Sequence, residues 1–132
     1  MPPTITALYA GLLALFIVVL AARVAKRWHS LKIGMGEGGD KLLSRMIRVH
    51  GNAIENVPLG LLLLLLCELV GAAPTYLHAF GMALVAGRVA HAIGLSRTGG
   101  ASIGRVAGMA LSWSAMVLMA GVLVGAFYGV RW

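Results

Sequence analysis

The sequence predicts an all-α integral membrane protein: a bundle of four spanning helices forming a single domain over residues 1–132. Three observations carry that reading. The chain of 132 residues is 60% hydrophobic and only 11% charged, where a soluble domain carries about a quarter of charged residues; its mean hydropathy is +0.91. It holds four apolar segments of about 20 residues or more, the length needed to cross a bilayer. Its basic residues gather at two of the three connections between those segments.

The first span covers roughly 4–25 and ends in Lys26, Arg27 and Trp28, a basic and aromatic interfacial anchor. It has no basic start and no cleavage pattern behind it, so it is expected to remain as a span and not to be removed as a secretory signal. The connection "GMGEGGD" at 34–40 reads as a flexible cytoplasmic loop, mobile enough to admit or cover something, or more simply as a plain solvated linker. The second span, roughly 42–71, has a polar first half and a leucine-rich second half. Pro58 lies between them and removes one backbone donor, so a kink is expected there. "GAAP" at 71–74 makes a tight turn into the third span, roughly 75–96. "RTGG" at 97–100 then leads to the fourth, roughly 102–130, closed by Arg131 and Trp132.

Charge orients the bundle. Arg23, Lys26, Arg27, Lys32, Lys41, Arg45 and Arg48 surround the first connection, and Arg97 and Arg105 flank the third. The positive-inside rule places both connections in the cytoplasm and both termini outside. The pI of about 10.6 is therefore a topology signal. No soluble domain, basic stripe or aromatic platform is left over for nucleic acid, which is excluded as a partner. The single cysteine, Cys67, excludes a disulfide framework and reads as a small buried hydrophobe. Glu68 beside it is expected at the outer interface. His29, His50, His78 and His91 lack ligand-pair spacing, so no metal is expected.

The informative stretch is "IRVHGNAIENVP" at 47–58. On a helix, Arg45, Arg48, Asn52, Glu55 and Asn56 fall within an arc of about 100°, with His50 well off it. Glu55 lies ~15 Å of helix beyond Arg45. A carboxylate at that depth costs several kcal/mol unless it is paired or faces a polar cavity. The third span offers Arg88 and His91 in "AGRVAHAIG", and Glu55–Arg88 is the expected ion pair. Arg105, in "SIGRVAG", opens the fourth span at the same depth. Arg45, Arg48, Arg88 and Arg105 are thus expected to converge with Glu55 and two amides on one pocket open to the cytosol. Arginine forks suit carboxylates and Glu55 suits an ammonium, so the ligand should carry both. Small-residue ridges (Ala79–Ala83–Gly87, Ala86–Ala90–Gly94, Gly104–Gly108 and Gly121–Gly125–Gly129) allow close helix packing, within or between chains. Four helices leave little room for a buried ligand, which points to an oligomer.

"RMIRVHGNAIENVPLG" (45–60) and "AGRVAHAIG" (86–94), with Arg105 opening the last helix, resemble the MAPEG family of membrane-associated proteins in eicosanoid and glutathione metabolism. The likeness covers essentially the whole chain and is greatest to short bacterial members resembling microsomal glutathione transferases. It implies a homotrimer in the inner membrane, with glutathione as co-substrate between neighbouring subunits near the cytosolic face. Arg48, Asn52 and Glu55 would match glutathione ligands of the second helix, with Arg45 close by. His50 falls where a neighbouring subunit contributes a side chain. Arg88 and His91 would match third-helix contacts, and Arg105 the arginine that holds the thiolate. One of Arg23, Lys26 and Arg27 would supply a further basic group. Where synthases of the family carry tyrosines, this chain has Asn56, Leu95 and Met109; Asn56 keeps a hydrogen-bonding group and the other two do not. The implied activity is transfer of glutathione to a lipophilic electrophile from the bilayer, or reduction of a lipid peroxide. The alternative is a non-catalytic lipid- or glutathione-binding scaffold. A small multidrug antiporter is disfavoured, because the first span carries no acid.

Overall fold

The computed structural model describes residues 2–98, 100 and 102–131. Four helices account for most of them: α1 (Thr4–Leu31), α2 (Lys41–Leu69), α3 (Pro74–Arg97) and α4 (Ile103–Phe127). Each is long and apolar enough to cross a membrane, so the fold is a four-helix membrane bundle. The spans agree with those expected from hydropathy; α1 runs about two turns further, carrying its basic end beyond the apolar stretch. Trp132, expected to close the last span, lies outside the described residues.

Local chemistry sets the ends. Asp40 caps α2, its carboxylate accepting the Leu43 N–H at 2.6 Å, and Ser102 caps α4 by accepting from the Arg105 N–H at 3.3 Å. Pro74 occupies the first turn of α3, where no donor is lost. α2 ends in a Schellman turn: Gly71 takes φ +87°, while the Ala72 and Gly71 N–H groups reach the Cys67 and Glu68 carbonyls. α1 closes the same way on Lys32, a non-glycine residue at φ 54°. Helix α2 continues through Pro58.

The N-terminus of α1 has no side-chain cap of its own. Glu68, at the far end of α2, fills that role: its two oxygens accept the Ile5 N–H at 3.0 Å and the Thr6 N–H at 2.7 Å. Glu68, expected from the sequence at the outer interface, joins two helix ends, favourably placed against the positive end of the α1 dipole.

Helices α3 and α4 pack most closely. A Cβ on Gly87 would run into Ser112 Oγ and the Gly108 carbonyl, and one on Gly94 into the backbone of Gly104 and Arg105. The Gly104–Gly108 ridge is therefore used within the chain, whereas Gly121 faces open space. Helices α1 and α4 do not touch and flank the α2–α3 pair from opposite sides. The main apolar core, with Leu13, Leu64, Leu77, Leu84 and Met119, fills the half of the bundle nearest the N-terminus and the α2–α3 turn. Cys67 belongs to it and is fully buried. A smaller cluster of Leu20, Val49, Ala53, Ala92 and Leu95 serves the basic half.

Candidate functional site

In the basic half, where the core is thin, a cavity of about 550 Å³ opens between α2, α3 and α4. Arg45, Arg48, Asn52 and Glu55 line it from α2, His91 and Leu95 from α3, and Arg105 from the first turn of α4. The helical stripe thus faces a cavity. Its lining holds three arginines against one carboxylate, an arrangement that focuses positive potential in the cleft. The volume is within the usual range for small-molecule sites, roughly 300–1,000 Å³.

Arg88 is brought to the same level but lies behind the cavity wall, 2% exposed. Its guanidinium donates from Nε to Ser112 Oγ at 3.0 Å, from Nη1 to Asn52 Oδ1 at 2.8 Å and from Nη2 to the Gly108 carbonyl at 3.4 Å. Ser112 in turn donates to the Gly108 carbonyl at 3.0 Å. The expected Glu55–Arg88 ion pair does not form: Arg27–Asp40 is the one salt bridge among the described residues. The reason is geometric. Arg88 points into the tight α3–α4 seam, where only neutral oxygens are in reach, while Glu55 sits on the exposed edge of α2. The result is a buried cation held by dipoles alone, which adds its charge to the cavity in front of it. It also fixes Asn52, so the amide presented to the cavity has a set orientation.

Asn56 is not among the cavity-lining residues. Its Nδ2 donates to the Asn52 carbonyl at 2.8 Å, and its Oδ1 accepts from Trp113 Nε1 at 3.1 Å. His50 is half-buried and also off the lining. Of the basic residues ending α1, Arg27 is bound to Asp40 at 2.7 Å, Arg23 lines a groove against α3, and Lys26 is exposed. No residue of α1 lines the cavity.

Two features escaped the sequence reading. Ser112 continues the Gly104–Gly108 spacing by one more turn, the one signal that could have placed it opposite Gly87 and Arg88. The 34–40 connection carries two side-chain anchors, one within it and one at its end. Trp28 Nε1 donates to the Gly36 carbonyl at 2.7 Å, and Arg27 grips Asp40 through Nε and Nη2. The Arg27 guanidinium and the Leu43 N–H together hold the Asp40 carboxyl below the usual carboxylate range.

Comparison with known proteins bears on the whole chain. The sequence model of the MAPEG family matches residues 6–125. Inner membrane protein YecN, from two strains of Escherichia coli, is 35% identical over 124 residues, which cover 94% of this chain and 92% of that protein.

Proposed function

Because this chain belongs to the MAPEG family, we propose that its cavity binds glutathione and raises the reactivity of the thiol toward a lipophilic substrate entering from the bilayer. One observation carries the reading: Arg45, Arg48 and Arg105 line one cavity with a single carboxylate, Glu55, in front of the buried cation Arg88. Glutathione offers two carboxylates and one ammonium, the complement of that lining. Arg45 and Arg48 would take the carboxylates as bidentate forks, Asn52 an amide of the tripeptide backbone, and Glu55 the ammonium. His91 borders the same space.

Arg105 is the residue assigned to the thiolate. A thiol of ordinary pKa ~8.5 is only a few per cent ionised at neutral pH, and half-ionisation needs a stabilisation of roughly 2 kcal/mol. One guanidinium ~4 Å away at an effective dielectric of ~20 supplies about 4 kcal/mol before desolvation, enough for the task. The thiolate sulfur then forms a bond to an electrophilic carbon as that carbon's leaving group departs with its electron pair. With a hydroperoxide, the sulfur attacks the terminal oxygen, the O–O bond breaks and the alkoxide leaves with its electron pair to be protonated to the alcohol. A second glutathione thiol then attacks the resulting sulfenic acid, forming the disulfide and releasing water.

In this reading the basic end of the bundle faces the cytoplasm of an inner membrane, with both termini on the other side. The cavity is bounded by only three helices of one chain, which leaves room for a neighbouring subunit of a homotrimer to supply His50 and a basic residue of α1. A second reading, a lipid- or glutathione-binding scaffold without turnover, is favoured by Leu95, which presents an apolar side chain to the cavity.

The test is a titration of the detergent-solubilised protein with reduced glutathione, followed by thiolate absorbance in the ultraviolet. A saturable signal that Arg105→Ala removes supports the enzyme. Binding without thiolate supports the scaffold. Absence of binding overturns the enzyme and the glutathione-binding scaffold, and the polar stripe then serves another ligand.

A further inference from the structure

We propose that the groove between α1 and α3, on the basic half of the bundle, is a binding site for one anionic phospholipid. Helices α1 and α3 run side by side in the same direction, so their corresponding ends lie together: Tyr9 packs against Gly81 near the N-terminal ends, and Arg23 and Arg97 meet in one groove at the other. The groove has a volume of about 240 Å³. Its walls are Phe16 and Val19 from α1 and Val89 and Ile93 from α3, and it ends at the two arginines and Ser96. Val19 lies four positions before Arg23 and Val89 eight before Arg97, which gives an apolar slot running ~6 to 12 Å from the charged end into the bilayer. An acyl chain fits such a slot, and it has a fixed position relative to its headgroup.

Charge decides which lipid. Among the described residues, neither Arg23 nor Arg97 has a carboxylate within 4.0 Å, whereas Arg27, one turn beyond Arg23, is bound to Asp40 at 2.7 Å. Two guanidinium groups from separate helices can grip the two non-ester oxygens of one phosphodiester, and the Ser96 hydroxyl can donate to it as well. A zwitterionic headgroup would bring its own ammonium into this doubly cationic end and be disfavoured. A phospholipid with net negative charge meets no such penalty. Bound there, it would also clamp α1 to α3 in the half of the molecule where the protein core joining them is small.

The site is separate from the polar cavity: none of its residues except those of α3 shares a helix with the cavity lining, and its test involves no glutathione. The purified protein is titrated in detergent with an equal mixture of phosphatidylglycerol and phosphatidylethanolamine of matched chains, and adducts are counted by native mass spectrometry. A preference for phosphatidylglycerol of about tenfold or more is expected for two arginines at the membrane surface. The Arg23→Gln/Arg97→Gln double variant should bring the ratio near one. Ile93→Trp, which fills the slot and keeps both charges, should remove the adduct and holds the proposal testable if the double variant fails to fold. Lys32→Gln/Arg131→Gln removes two charges elsewhere and should keep the preference. Soluble glycerol phosphate in large excess should leave the lipid in place. An unchanged preference in the double variant, full binding by Ile93→Trp, equal loss in the charge control, or displacement by glycerol phosphate would each overturn the site.

Discussion

The two halves of the bundle solve the same problem differently. Toward the N-terminus and the α2–α3 turn, polar groups are few and most close on a neighbour, the buried Thr6 hydroxyl being left without a partner among the described residues. Glu68 caps α1, and the Tyr9 hydroxyl lies 3.0 Å from His78 Nδ1 with its ring against Gly81. Fully buried Leu64, Leu84 and Met119 fill the space between. In the basic half, α2 spends its helical surface on Arg45, Arg48, Asn52 and Glu55, the core shrinks, and a cavity takes its place. One half supplies stability and the other can hold unpaired charge because of it. The Arg88 network joins them, tying α2, α3 and α4 behind the cavity.

If that division is right, the largest effect of a single change belongs to the polar half and is chemical. Arg105→Ala should lower glutathione-dependent turnover by about 10²–10³, as loss of one preorganised electrostatic group does elsewhere, with unchanged circular dichroism. Equal turnover would remove Arg105 from its assigned role. Next in size are changes at the seam. Gly87→Val should destabilise by about 1–3 kcal/mol or more, because Ser112 and the Gly108 backbone leave no room for a side chain. Arg88→Leu should cost about 1–3 kcal/mol through the unpaired oxygens of Asn52 and Ser112, and it should weaken glutathione binding as Asn52 loses its anchor. Thermal unfolding in detergent and a binding titration would read the two effects separately. A stable, fully binding Arg88→Leu would break the link between the halves.

Smaller effects concern the helix ends. Lys32→Gly should stabilise by about 1 kcal/mol, since glycine adopts the left-handed conformation without a Cβ penalty; an unchanged melting temperature would show that the α1 end is frayed. The Asp40 clasp carries the smallest and most specific expectation. Its folded carboxyl titrates below the ordinary value of about 4, so its contribution is fully present above that pH and is lost as pH falls through the lower folded value. Hydrogen exchange in residues 33–40 should stay constant from neutral pH down to about 4.5 after correction for the intrinsic rate and rise below about 4. Asp40→Asn should raise exchange at every pH and flatten the profile.

Much of this was legible in the chain because membranes narrow the choices. Apolar length placed the four spans, and turn chemistry at Gly71 and Pro74 placed the tight connection. The spacing of Arg45, Arg48, Asn52 and Glu55 placed them on one face, since helical period is a local property. The partner of Arg88 was not legible. Opposite charge favoured Glu55, but pairing depends on which way a guanidinium leaves its helix, and that follows from the Gly87–Gly108 contact. The anchors of the 34–40 loop were hidden for a similar reason: four glycines state how freely a segment can move alone, and say nothing of the tryptophan and arginine that reach it.

The sequence by itself therefore determined the class, the spans, the polar face and the family likeness, because each depends on composition or on intervals within one helix. Only the tertiary structure decided that Arg88 rests on Asn52, Ser112 and a carbonyl, that Glu68 caps a helix more than sixty residues earlier in the chain, and that Arg23 and Arg97 share a groove. Each of those outcomes is set by the distance and angle between two helices, and no interval within a single helix encodes them.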